Sequence, residues 1–562
     1  MLEGCTPWPP EVAARHRAEG HWRGESLVDL LDAAVAAHGD KAALVQDDVR
    51  ISYAELGLRT RRMAVGFRAR GIGAGDRVVV QLPNGPDFVV VCFALFRLGA
   101  LPVFALPAHR AQEIRHLCDH SGAVGYVFPH SHHGFDHLGL ARQVRAEVGG
   151  LTHLFVSGAP QTGDEKGDGD VVPLAEVDAE PVPLPAPDAS DVAFFLLSGG
   201  TTALPKLIPR THDDYVCQAR AARAAGPVSA DDVYLAVLPV EFNFTWGCPG
   251  VIGMLGAGGT VVLAQDPTPE RCFPLIEREG VTFTSVVPSV LQLWLEAAEW
   301  HEADLGSLRF LQVGSAKLYP EVAARVEPAF GCRLQQVFGM AEGLLTFTRE
   351  DDPAATVLGT QGRPVSAADE IRIVDEQDRE LSPGGIGELL ARGPYTLRGY
   401  YRAPEHNSRA FTDDGFYRSG DLARLTPEGN LVIEGRIKDV IIRGGDKVSA
   451  AEVEGHLLAL GSVSRAAVVP CPDAFLGERT CAFLVPVDRA PTLAEIKTAL
   501  EQRGLAAYKL PDRVEIVTEL PLTGLGKTDK KVLAALARGE AVPAAAAFLP
   551  ARAPRAAAPH AG

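Results

Sequence analysis

Short Val/Leu-rich runs that alternate with amphipathic helical patterns limit this chain more than any other feature. "DRVVVQLP" precedes "GPDFVVVCFALFRLGA", and "VGYVFP", "LTHLFVSG", "TVVLAQ" and "FTSVVP" repeat the theme. Continuously apolar short runs suit strands buried on both faces, and the intervening helices suit crossovers, so the pattern predicts parallel sheets covered by helices. At 562 residues and 46% hydrophobic content, the chain exceeds one ordinary domain and can bury a large core. The stretch "FVVVCFALFRLGALPVFALPA" is interrupted by Arg97, Gly99 and Pro102, which predicts a helix and a buried strand rather than a membrane span.

From about Asp369 the pattern changes to closely spaced strands, "EIRIVD", "GELLARG", "NLVIEGRI" and "DVIIRGG", suited to a small barrel or an antiparallel sheet. A compact α+β unit follows. The expected architecture is therefore α/β: a large N-terminal domain of helix-covered, mostly parallel sheets over residues 1–435 with a small β-barrel-like subdomain, then a small mobile α+β domain over 436–540. The Ala/Pro-rich tail, 541–562, is expected to be disordered, and the Gly/Pro/acid-rich stretch from about Ser157 to Ser190 to be an exposed connector.

A formal charge of −17 excludes a general nucleic-acid or anionic-membrane surface, since both need a basic field. Nine cysteines without a C-x-x-C pair suit reduced, mostly buried thiols rather than a disulfide frame or a zinc site. The polar N-terminus lacks an apolar signal core, so a cytoplasmic location is expected.

Two stretches carry phosphate-like chemistry. In "LLSGGTTALPKLIPRTHDD" the small residues Ser198, Gly199, Gly200, Thr201 and Thr202 follow an apolar run, and Lys206 adds charge; such a loop lets backbone and hydroxyls approach an anion. Near the C-terminus, "PLTGLGKTDKK" places Gly524, Gly526, Lys527 and Thr528 like the end of a P-loop. The first glycine of that pattern falls on Pro521, which has no N–H, and no strands remain after it to complete a sheet. Lys527 therefore needs another role.

The first stretch resembles the phosphate loop of the AMP-forming acyl-CoA synthetases and adenylation enzymes, with Ala203 where that superfamily usually has glycine. "KLIPRTHDDY" resembles in particular the stand-alone aryl-acid AMP ligases of siderophore and related biosynthesis. The resemblance covers roughly residues 25 to 540, and its motifs fall in order. It implies that Glu342 in "VFGMAEG" holds Mg²⁺ while Val337, Phe338 and Gly339 line the adenine, with Phe338 packed on the base. Asp421 in "GFYRSGD" would bond the ribose hydroxyls. In "GRIKDVIIRGGDKV", Arg436 would reach the nucleotide, Lys438 would be the hinge, and Gly444 and Gly445 would lie on the loop that admits the thiol. Gly314 and Ser315, in "VGSAK", would flank adenine and aryl ring, with serine replacing a glycine.

Lys527 would then bridge the attacking carboxylate and the α-phosphate of ATP. The implied reaction is ATP-dependent formation of an acyl-adenylate with release of pyrophosphate, then transfer to a phosphopantetheine thiol of a carrier protein. The alternatives are an aryl-CoA ligase using free CoA or a 2,3-dihydroxybenzoate-AMP ligase, and a nucleotide-binding regulator without chemistry is a remote one. "LPVEFNFTWGCPGVIG" aligns with the aryl pocket: Asn243 would meet an ortho hydroxyl and Phe244 would pack on the ring. Cys248 and Leu345 stand where ligases of the 2,3-dihydroxybenzoate type carry serine and valine. Cysteine hydrogen-bonds weakly and leucine takes more room, which favours salicylate or a substituted relative over 2,3-dihydroxybenzoate. Phe242 and Trp246 also depart from the subfamily, replacing a histidine and a smaller aliphatic residue, so a heterocyclic or otherwise substituted acid, or plain benzoate, stays open.

Overall fold

The computed structural model describes residues 2–158, 171–198, 204–443, 446–473, 475–523 and 526–540. Gly199, Gly200, Thr201 and Thr202, Gly444 and Gly445, Gly524 and the tail 541–562 lie outside them.

Two helix-covered sheets form the large lobe, as the alternating pattern predicts. Across the nine-stranded sheet the order is Arg363–Pro364, Gly343–Phe347, Arg333–Met340, Phe310–Val313, Phe283–Val286, Val233–Ala236, Thr260–Leu263, Ala42–Gln46 and Val49–Ser52. Its centre is parallel and its two ends are antiparallel. The seven-stranded sheet runs Leu207–Thr211, Val192–Leu197, Leu101–Phe104, Arg77–Val80, Gly125–Pro129, His153–Ser157 and Val172–Pro173. Helix Pro86–Leu98, the supposed membrane-like run, is followed by strand Leu101–Phe104, and both are buried. Gly99 ends the helix at φ 72°, a left-handed conformation that glycine adopts without a Cβ penalty. No helix among the described residues is long and apolar enough to cross a membrane.

Past Asp369 the strands Glu370–Val374, Gly387–Arg392, Tyr417–Leu425 and Leu431–Arg436 make an open antiparallel sheet. Its two edge strands do not pair with each other, so the unit is a sheet rather than a closed barrel. A three-residue 3₁₀ turn, Ile437–Asp439, leads from that sheet into strand Val440–Arg443 of the next. The C-terminal lobe carries the five-stranded sheet with helices Ala450–Leu458, Leu493–Gln502 and Lys530–Arg538. All nine cysteines are free thiols, seven of them buried.

Trp246 is fully buried, with Phe88, Phe93 and Phe104 around its indole at centroid distances of 5.4, 6.5 and 5.6 Å. It thus joins helix Asn243–Gly247 to the helix and strand beneath it. Trp246→Ala is expected to destabilise the large lobe by about 3–5 kcal/mol, the usual range for emptying a buried aromatic site, read as a lower urea midpoint by circular dichroism.

Candidate active site

The phosphate-loop candidate is a hairpin connection. Strand Val192–Leu197 pairs antiparallel with Leu207–Thr211, so the chain between them must turn back at the sheet's end. A reciprocal clasp closes that turn: Ser198 N donates to Lys206 O at 2.9 Å, and Lys206 N donates to Ser198 Oγ at 3.0 Å. The Lys206 ammonium lies 5.5 Å from the Tyr400 ring centroid. Tyr400 in turn donates its hydroxyl to Glu342 Oε1 at 2.8 Å and shares a 2.9 Å hydrogen bond with Tyr417. Through Tyr400, the loop's lysine is tied to the carboxylate singled out for a metal.

Glu342 follows strand Arg333–Met340 directly and shares its neighbourhood with Asp421, Arg436 and Lys527. Asp421 is buried on strand Tyr417–Leu425. Its Oδ1 accepts from Arg436 Nε at 2.8 Å, while Oδ2 is buried without a hydrogen-bond partner. Burial raises its carboxyl above the usual range, and Arg436 opposes that. An acceptor left open beside clustered cations is what a sugar hydroxyl of a nucleotide needs.

Lys527 reaches this cluster from the C-terminal lobe. Leu522 and Thr528 form a β-bridge, Thr523 N donates to Lys527 O at 2.7 Å, and Ser289 of the large lobe donates its hydroxyl to Gly526 O. That tight turn, docked on the large lobe, presents the lysine. Burial, and next the nearby Arg436, hold its ammonium down to about 8, while Asp421 and Glu342 pull the other way. Lys438 in the 3₁₀ turn is also lowered, by burial first and then by Arg436. Lys527 and Arg436 therefore stand beside Asp421 and Glu342, with Lys438 close to Arg436, Asp421 and Asp439.

The residues expected to form the acid pocket gather on one side. Phe244, Cys248, Val337 and Leu345 are buried, and Asn243 is nearly so. Gly314 fits between Val337 and Phe244, where an added Cβ would lie 2.7 Å from Val337 O and 3.3 Å from the Phe244 ring. Leu345 faces Gly339 across the strand pair. Phe338 is partly buried on the strand that carries Val337 and Gly339. Ser315 adopts φ 67°, so this non-glycine residue occupies a left-handed conformation that favours glycine, at the position where the superfamily has one. Asn243 Nδ2 donates to Met340 O at 3.1 Å, so the acid pocket adjoins the turn that carries Glu342.

The sequence motifs did not reveal Tyr400, Tyr417, Arg210, Tyr215 or Gln218. Only Arg210 had a local signal, because "RTHDD" is a helix start: Thr211 caps helix His212–Ala225 and Asp214 returns the hydrogen bond. Asp214 Oδ1 also takes the Arg210 Nε at 2.9 Å, which anchors that guanidinium in the interior.

A large lobe and a small one, meeting at a cluster of charged groups with the Ser198–Lys206 clasp beside it, have the organisation of adenylate-forming enzymes. The chain belongs to the AMP-binding enzyme family: the AMP-binding enzyme model matches residues 31–401, and that of the AMP-binding enzyme C-terminal domain matches residues 452–527. A 2,3-dihydroxybenzoate-AMP ligase of Bacillus subtilis (strain 168) is 52% identical, over 95% of this chain and 97% of that one. A salicyl-AMP ligase / salicyl-S-ArCP synthetase of Mycobacterium tuberculosis is 46% identical, over 95% and 94% respectively. The apo structure of MbtA from Mycobacterium smegmatis is 46% identical and superposes with a TM-score of 0.73, covering 94% of this chain and 98% of its own.

The depressed ammonium sets a pH prediction. Lys527 is cationic below about 8 and loses its charge above it, so attraction for phosphates weakens as pH rises. ATP affinity measured by calorimetry is expected to fall several-fold between pH 7.5 and 9.5, and in Lys527→Met to start lower and stay flat.

Proposed function

We propose that the protein activates salicylate or a close relative as its acyl-adenylate and passes the acyl group to a phosphopantetheine thiol of a carrier protein. The observation that carries this reading is the convergence of Lys527, Glu342 and the open Asp421 Oδ2 in one cluster, with Asn243 next to it through Met340 and Phe244, Cys248 and Leu345 buried in one core cluster. Family membership supplies ATP as the nucleotide, and the identity to aryl-acid ligases supports the acid class.

In the first step a carboxylate oxygen attacks the α-phosphorus, and the bond from that phosphorus to the pyrophosphate oxygen breaks. Both reactants are anions, so the approach needs positive charge already in place. Lys527 would sit between them and hold a proton on its ammonium throughout. The free Asp421 oxygen would accept from the ribose, and its neighbour Arg436, now on Asp421 Oδ1, would reach the same nucleotide. Among the described residues no three His, Cys, Asp or Glu side chains cluster to cage a metal. Glu342, one carboxylate facing phosphates, fits Mg²⁺, which is held by few protein ligands together with substrate oxygens. When bound, Mg²⁺ would neutralise phosphate charge. Clasped by Ser198, Lys206 would steady the outgoing pyrophosphate.

For the second step, withdrawal of Lys527 requires the small lobe to turn, and the short Ile437–Asp439 connection with Lys438 at its middle is where the backbone change would concentrate.

The choice of acid rests on two side chains. Cys248 gives its thiol proton to Asn243 O at 3.1 Å, so it is committed within the wall, and Leu345 is fully buried. A 3-hydroxyl would find neither a free partner nor space. ATP/pyrophosphate exchange with salicylate, 2,3-dihydroxybenzoate, benzoate, 3-hydroxyanthranilate and 3-hydroxypicolinate tests this. Salicylate is expected to exceed 2,3-dihydroxybenzoate in kcat/KM by about tenfold or more. Best turnover with 2,3-dihydroxybenzoate would overturn the reading of Cys248 and Leu345.

A further inference from the structure

The side chain of Asn243 is held by a chain of hydrogen bonds whose direction is fixed at its far end. Arg210, fully buried, has donors only. Its Nε goes to Asp214, its Nη1 to Ala341 O at 3.1 Å, and its Nη2 to Gln218 Oε1 at 3.0 Å and Tyr395 O at 3.2 Å. Because an oxygen must face the guanidinium, the Gln218 amide can point only one way. Its nitrogen then donates to Asn243 Oδ1 at 2.9 Å and to the Gly247 carbonyl at 3.2 Å. The Gly247 carbonyl can only accept, which agrees.

Asn243 inherits this direction. Its Oδ1 takes a second donor, the Tyr215 hydroxyl, at 2.9 Å, and burial keeps that phenol protonated. Its nitrogen faces Met340 O, another obligate acceptor. Turning the amide over would set oxygen against oxygen at Met340 and nitrogen against nitrogen at Gln218. One hydrogen on Nδ2 remains after Met340 is served, while both hydrogen bonds that Oδ1 readily accepts are made from within the wall.

We propose that the Arg210–Gln218–Asn243 chain, with Tyr215, makes the ortho position of the bound ring a donor-only subsite. Selection would then favour acids whose ortho group carries an available lone pair, such as a phenol oxygen or a ring nitrogen, over ortho-amino acids. This rests on the proposed aryl-acid activity. Salicylate's hydroxyl proton turns to its own carboxylate and leaves oxygen lone pairs for Asn243. The nitrogen pair of anthranilate is delocalised into the ring, so that group chiefly donates and meets a donor. Gln218 and Tyr215 are thus positioning residues. Gly247 is part of the device, since a Cβ there would lie 2.4 Å from the Tyr215 hydroxyl.

Pyrophosphate exchange with salicylate, anthranilate and benzoate tests the proposal, with benzoate as the internal reference because it has nothing at the ortho position. The native enzyme is expected to prefer salicylate to anthranilate by about a hundredfold in kcat/KM. Gln218→Leu and the milder Tyr215→Phe are each expected to reduce the salicylate-to-benzoate ratio about tenfold and to narrow the gap to anthranilate. General damage to the fold would lower all three acids together and leave the ratios unchanged. Native ratios near one for salicylate over anthranilate, or native ratios retained by both variants, would overturn the donor-only subsite while leaving the aryl-acid activity standing. Absence of exchange with every aromatic acid would remove that activity and the subsite with it.

Discussion

The Lys527 ammonium meets the large lobe only because a tight turn of the small lobe is docked there. Ser289 holds the Gly526 carbonyl, Gln292 Nε2 donates to Ser464 O at 3.2 Å, and the Tyr319 hydroxyl has Ala451 O at 3.1 Å and Glu454 Oε2 at 3.2 Å as acceptors for its one hydrogen. Glu454 also takes Lys530 Nζ at 2.7 Å, one helical start away from the catalytic candidate. The ion pairs Lys447–Glu376 and Arg465–Glu296 cross between the lobes as well, so the contacts are polar hydrogen bonds and ion pairs. They suit a lobe that is seated in this arrangement yet able to leave it, whereas a large apolar interface would not.

The cleft itself combines two opposite electrostatic treatments. On the side of Lys527, one polar group is left open: the buried Asp421 carboxylate has an unpartnered oxygen close to Lys527 and Arg436. On the other side, the carboxamide oxygen of Asn243 and the polar groups behind it are paired. The Arg210–Asp214 ion pair is enclosed in the interior and its remaining hydrogens go to Ala341, Tyr395 and Gln218. Asymmetric pairing of this kind lets one wall of the cleft adapt to incoming phosphate while the other keeps a fixed shape and polarity.

Much of the fold was legible because buried parallel strands are continuously apolar, and the interrupting Arg97, Gly99 and Pro102 told a helix–strand unit from a span. The candidate site was legible as far as residues travel in motifs: Glu342, Asp421, Arg436 and Lys527 come from stretches up to 185 residues apart and meet in the structure. What the sequence did not disclose are partners chosen by tertiary packing. Nothing local in "LRGYYRAP" announces that Tyr400 will bond Glu342. Nor does "RTHDD" say that Arg210 will reach a carbonyl at Tyr395 and, through Gln218, set the sense of Asn243. That the four antiparallel strands stay an open sheet was equally invisible, since barrel and open sheet share one strand pattern.

The account assigns Lys527 to the joining of two anions and to nothing afterwards. Its most direct test is to separate the half-reactions in Lys527→Ala, supplying presynthesised salicyl-adenylate in one arm and salicylate with ATP in the other. Adenylate formation is expected to fall by about 10²–10³, as for other lost charge-stabilising donors, while thioester formation from the supplied adenylate stays near the native rate. Undiminished adenylate formation, or an equal loss in both arms, would contradict it.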